Sequence, residues 1–181
     1  MAERIDELSS QLWEQAKQFS EKAKAEADPK GQAAYRNAAL MLGFCALEAH
    51  LNALAEESAM RTGLGVLEKS ILTERDVALD AGKFTVTNRL KIYRLEDRLE
   101  FLFVNFARGG VPKGEKWWAQ VKEGIRLRNE LVHPKAGFAL TEAALERNLL
   151  AILECLNALY LGIYRKRFPS YQRGLDSQLT F

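Results

Sequence analysis

The sequence predicts an all-α protein, an up-and-down bundle of four long helices with one or two short ones. Three observations carry this. Long stretches repeat apolar residues every three to four positions, which is the helical period. No set of alternating segments is present that would build a sheet. The strongest breaks, Asp28-Pro29-Lys30-Gly31, Arg61-Thr62-Gly63-Leu64-Gly65 and Gly109-Gly110-Val111-Pro112-Lys113-Gly114, divide the chain into helix-sized pieces. At 181 residues, 48% apolar and 28% charged, one domain spanning 1–181 has room for a substantial core.

The first helix is expected from Glu3 to about Ala27. Ile5, Leu8, Leu12, Trp13, Ala16 and Phe19 form its apolar face, and Lys, Glu and Gln fill the other. After the turn at Asp28–Gly31, a second helix runs from about Gln32 to Met60. Its middle, from Ala38 to Ala55, is apolar nearly all round, as in a helix at the centre of a bundle. Glu48 lies on the stripe of Met41, Phe44, Leu51 and Ala55, so it points inward and needs a cation. His50, two residues on, reads as a packing histidine. Val66 to Lys83 reads as a short helix with irregular flanks. Phe84–Thr87 alternates like a strand without an evident partner, and is read as an extended linker ending in a helix cap at Asn88. Leu90 to Phe106 reads as helical, with Leu95, Leu99, Leu102 and Phe106 in register.

The next helix starts near Glu115. Trp118, Val121, Ile125 and Val132 make its apolar stripe, and Arg128 fills the gap in it. A guanidinium on the core side is costly unless paired or used. Glu48 is the expected partner. Pro134 stops the helix at His133. Asn129 and His133 are four residues apart and share a face, and the helix C-terminus favours a cation at His133. The last helix is predicted from Glu142, with Thr141 as its cap, to about Arg165. Beyond Pro169 the tail, about 169–181, reads as irregular.

Net charge is only +2, so the chain as a whole is not a general polyanion binder. Between Phe106 and Ala136, however, seven basic residues face three acids. Arg165, Lys166, Arg167 and Arg173 add a second basic segment. Together these make a candidate phosphate-binding face, with Arg126, Lys135, Arg165, Lys166 and Arg167 as candidate RNA contacts. Cys45 and Cys155 read as small core residues. With two histidines and no CxxC, no metal site and no cofactor are expected. Walker, dinucleotide, HExxH and GxSxG motifs are absent. The start, Met1–Asp6, has no apolar core of a signal peptide. The longest uninterrupted apolar run, Ala38–Leu47, is short of the roughly 20 residues of a membrane span. A cytoplasmic location without membrane association is the expectation.

The segment Arg128-Asn129-Glu130-Leu131-Val132-His133-Pro134 resembles the signature of HEPN domains (higher eukaryotes and prokaryotes nucleotide-binding): an arginine, a polar residue, a short gap and a histidine. Ala46–Asn52 in an early apolar helix is similar to what many members show. The resemblance implies an α-helical bundle with its motif at the end of a late helix. It also implies metal-independent RNA cleavage at a homodimer interface. His133 would handle protons, Arg128 would bind the scissile phosphate, Asn129 would orient the site and Glu48 would hold Arg128. A toxin or defence role with a cognate antitoxin follows from the same resemblance. Some toxin members carry a tyrosine two positions after the histidine, where Lys135 stands here. Other members only bind nucleotides or assemble proteins. In the corresponding alternative, this chain is a non-catalytic nucleotide-binding or protein-interaction module, with Arg128 and Glu48 as a structural pair.

Overall fold

A computed structural model describes residues 2–134 and 137–181, the side chains of 2–6 excepted. The described chain is mostly helical. In order it forms α1 (Ala2–Ala25), α2 (Pro29–Ala59), α3 (Val66–Thr73), β1 (Arg75–Asp80), β2 (Lys83–Leu90), α4 (Leu95–Asn105), α5 (Lys116–Val132) and α6 (Glu142–Tyr164). A 3₁₀ turn, Tyr171–Arg173, follows.

The long helices stand close to where the apolar periodicity puts them. Helix α2 starts earlier than the pattern implies, because Asp28 caps it. The Asp28 carboxylate accepts from Gly31 N at 2.9 Å, and Pro29 suits the first helical position, where its missing N–H costs nothing. Thr141 caps α6, accepting from Ala144 N at 3.2 Å.

Helix α2 is the centre of the fold. Leu40, Phe44, Leu47, Leu51 and Leu54 meet Trp13 and Ala16 of α1, Leu149, Ile152 and Leu156 of α6, and Trp118 and Val121 of α5 in one core. The uninterrupted-run criterion understates α2. By length and composition it is able to cross a membrane, although 56% of its most apolar window is buried by the rest of the fold. Gly124 is where α5 closes on its neighbours. A Cβ there would stand 2.3 Å from Asn148 Oδ1 and 2.6 Å from Phe44 Cζ, so only glycine permits this approach. Trp118 is buried and Trp117 packs beside it, both against Phe103 of α4.

The structure departs from the sequence reading in four places. Phe84–Thr87 is not a linker: it belongs to β2, which pairs antiparallel with β1, Leu79 opposite Phe84 and Val77 opposite Val86. The two-residue turn Ala81–Gly82 has φ of 47° and 79°, the left-handed pair that tight hairpins use. Asn88 therefore lies inside a strand and caps nothing, and α4 begins only at Leu95. Cys45 is exposed, while Cys155 is buried as expected. Cys45 lies on the same side of α2 as Glu48 and Asn52, and the contacts that α5 and α4 make with Glu48 and Asn52 leave Cys45 itself exposed. Glu48 is likewise not deeply buried, its side chain being 41% exposed. Finally, the tail is strapped onto α1. Lys17 Nζ donates to Asp176 O at 2.7 Å, Gln18 Nε2 to Phe181 O at 3.0 Å, and Arg173 pairs with Glu14 at 2.6 Å. The Lys17 side chain is fully buried there, and burial holds its pKa below the usual lysine range.

His50 is a packing histidine, 2% exposed. Its ring stands edge-on to Phe168, and Nδ1 lies 3.4 Å from the Tyr160 hydroxyl. Burial pushes its pKa down to about 4. An unfolded ring titrates near 6.5, so on acidification the unfolded chain takes up this proton first. The native state therefore keeps its full stability above about pH 6.5 and loses it as the pH falls toward 4. Urea unfolding at pH 7 and pH 4.5 should show this as about 2 kcal/mol lost by the native protein and not by His50→Phe. The difference between the two proteins isolates the histidine from carboxylates that titrate in both.

Candidate functional site

Helix α5 delivers the candidate residues in order. Arg128 turns toward α2, and its Nη2 donates to Glu48 Oε1. The side chain is 25% exposed, with the guanidinium carbon 6.0 Å from the centre of the Phe44 ring. Phe44 is thus the floor on which the arginine rests. Arg128 Nε is buried without a partner among the described residues. The two residues meet because each interrupts the apolar stripe of its own helix, and the two helices pack there.

Arg128 and Asn129 line a cavity of about 500 Å³ between α2, α4, α5 and the end of the hairpin. A second arginine lies in its wall. Arg98 of α4 is 6% exposed; it donates to Asn52 Oδ1 at 2.8 Å and pairs with Glu74 at 3.0 Å. Burial pulls Arg98 below the usual guanidinium range, while Glu74 and Glu48 act against that. The sequence reading passed over Arg98, although the signal is of the kind that singled out Arg128. Arg98 stands three residues after Leu95 and four before Leu102, on the buried side of α4.

His133 does not line this cavity. It caps α5 with φ of −127°, its backbone N–H bonded to Asn129 O at 2.9 Å, and it is exposed. Five residues of helix put it about 7.5 Å along the axis from Arg128. Asn129 is exposed and sits between the two levels, at the cavity edge. Lys135 lies outside the described residues.

Several cations of the expected basic face are already paired within the chain. Arg126 is held by Glu123 at 2.6 Å and by Glu130, contacts that keep the Glu123 carboxyl below its usual range. Lys122 pairs with Glu96 at 3.5 Å and Lys113 with Glu100 at 3.6 Å. Arg165, Lys166 and Arg167 are exposed, Arg165 capping α6 with φ of 59°. They follow Gly162, whose carbonyl accepts from Arg108 N at 3.3 Å, so they sit at the C-terminal end of α4. That end packs on Trp117 and Trp118 at the start of α5, whereas the N-terminal end of α4 faces Arg128. Arg165, Lys166 and Arg167 therefore lie near Arg108 on the side where α5 begins, away from Arg128 and His133 at its far end.

Among the described residues, no group of three or more His, Cys, Asp or Glu side chains is placed to hold a metal ion. No family model matches the chain, and neither a curated protein nor a solved structure is significantly similar to it. What can be said of function therefore comes from the site itself. A fixed guanidinium, an amide and an exposed imidazole on one helix end form a set suited to holding a phosphate and moving protons beside it.

Proposed function

We propose that the chain is a HEPN-like, metal-independent endoribonuclease that works as a homodimer, with its four long helices forming the up-and-down bundle of that family. One observation carries the reading. Arg128 is held by Glu48 from another helix, while Asn129 and His133, on the same helix end, stay open to solvent. Purely structural pairing explains the first contact and leaves the exposed amide and imidazole without a role.

In this mechanism Arg128 binds the non-bridging oxygens of the scissile phosphate and stabilises the charge that builds there. His133 takes the proton from the ribose 2′-hydroxyl, whose oxygen bonds to phosphorus as the bond to O5′ breaks. The departing O5′ needs a proton from an acid on its far side. The second copy's motif supplies that acid across a two-fold axis. The products are a 2′,3′-cyclic phosphate and a 5′-hydroxyl. Exposed Leu90 and Ile92 at the cavity, and Val132 one residue before His133, support a second copy covering this end. A cytoplasmic toxin or defence protein, neutralised by a cognate antitoxin, is the role this chemistry fits.

The interaction-module reading is favoured by a different observation: Arg126, Lys122 and Lys113 are already paired within the chain. Glu48→Gln separates the two readings. As a positioning residue, Glu48 is expected to contribute about 100-fold to the cleavage rate, the scale of a misplaced reacting group. Its partly exposed ion pair contributes no more than about 1 kcal/mol to stability. The assay is cleavage of mixed RNA in EDTA, with a thermal melt beside it. A large rate loss at nearly constant stability supports the enzyme. Absence of cleavage by the native protein on every RNA supports the module.

A further inference from the structure

A second cavity lies elsewhere. It is a half-open cleft of about 1100 Å³ between α1, His50 of α2, Tyr160 of α6 and the strapped C-terminal segment. His50 and Glu48 are two residues apart on α2, about 200° around its axis. The cavity therefore opens on the opposite side of α2 from the Arg128–Glu48 pair.

Trp13, Tyr160, Phe168 and Phe181 form an aromatic part of its lining, and polar side chains such as Glu7, Gln11 and Gln178 form much of the rest. Four polar atoms of its lining residues are buried without a partner among the described residues, namely Trp13 Nε1, His50 Nε2, Ser170 Oγ and Arg173 Nε. Buried polar groups are nearly always paired. Four orphans around one cavity mark a place where the missing partner is a bound molecule.

Their chemistry says what that molecule presents. Trp13 Nε1 only donates. His50 is neutral near pH 7, because burial holds its pKa at about 4. Nδ1 faces the Tyr160 hydroxyl at 3.4 Å; the tautomer in which the tyrosine donates to Nδ1 leaves the ring hydrogen on Nε2 as a donor. Ser170 is able to donate as well. The set asks for an acceptor oxygen. It does not ask for an anion, since the one cation among the described lining residues, Arg173, is paired with Glu14 at 2.6 Å. The aromatic walls ask for a flat apolar body. We propose that this cavity is a binding site for an uncharged aromatic small molecule whose carbonyl oxygen accepts hydrogen bonds from Trp13, His50 and Ser170.

The test titrates the full chain with prodan, a neutral naphthalene ketone whose emission reports a dry environment. Saturable binding of one prodan per chain, with emission shifted to shorter wavelength, is expected. Leu179→Trp, which fills the cavity from the strap, should abolish it. Ser170→Ala should weaken it about fivefold, the effect of one neutral hydrogen bond. His133→Ala should bind as the native protein does, since it lies outside this cavity. Circular dichroism and melting of each variant confirm that the fold is kept. No saturation, or saturation that survives Leu179→Trp, overturns the proposal. Binding lost in Leu179→Trp and unchanged in Ser170→Ala overturns the assignment of the acceptor.

Discussion

Replacing His133 by alanine is expected to lower RNA cleavage by about 10²–10⁴-fold, the usual contribution of a positioned acid or base, and to leave stability nearly unchanged. The structural basis is the separation between what this residue's backbone does and what its ring does. The backbone N–H closes the last turn of α5 on Asn129 O at 2.9 Å, and alanine keeps that bond. The ring is exposed, so its removal leaves no hole, and a surface change of this kind stays within about 0.5 kcal/mol. A homodimer loses both imidazoles at once, base and acid together, which places the loss toward the upper end of the range. Single-turnover cleavage of an end-labelled RNA, read beside a urea melt, measures both quantities. A rate loss matched by a loss of folded protein would mean that His133 is only a cap.

Phe44→Ala is expected to be the most damaging change to the fold near the site, costing about 3–5 kcal/mol in urea unfolding. Phe44 is 1% exposed. Its ring lies against Gly124, where an added Cβ would meet Cζ at 2.6 Å, and beneath the Arg128 guanidinium. Truncation opens a cavity between α2 and α5 that neither helix fills without moving, because Asn148 of α6 already crowds Gly124 from the other side. A domain of this size has about 5–15 kcal/mol in total, so the variant sits near its unfolding threshold. Activity should fall further than the folded fraction does, since Arg128 loses the surface that sets its height above Glu48. A destabilisation below about 1 kcal/mol would show that α5 is held by other contacts.

The parts legible in the sequence are those whose cause is local. Thr141 caps α6 because a hydroxyl before an apolar run satisfies a free N–H wherever the helix packs. Arg128 and Glu48 were found as a pair because each is a charge in an apolar stripe, and such charges need each other. The hairpin escaped for the opposite reason. Leu79 and Phe84 are 65% and 67% exposed, so no buried face imposes an alternation, and Ala81–Gly82 lacks the usual Asn-Gly or Asp-Gly signal. Arg98 was legible by the same rule as Arg128, but its partners Asn52 and Glu74 come from two separate elements, and Glu74 has a left-handed φ of 50° that no pattern announces. The strap is hidden in the sequence because its bonds, such as Lys17 to Asp176 O and Arg173 to Glu14, join segments some 160 residues apart. The pairing of Lys122 with Glu96 and of Lys113 with Glu100 is likewise a property of how α4 lies along α5, which local charge counting does not contain.

The most direct test of the central claim is the chemistry of the RNA ends made in EDTA by the native protein and by His133→Ala. The account predicts 2′,3′-cyclic phosphate and 5′-hydroxyl ends from the native protein alone. Ends bearing 3′-hydroxyl and 5′-phosphate, cleavage that depends on a divalent metal, or equal cleavage by His133→Ala would contradict it.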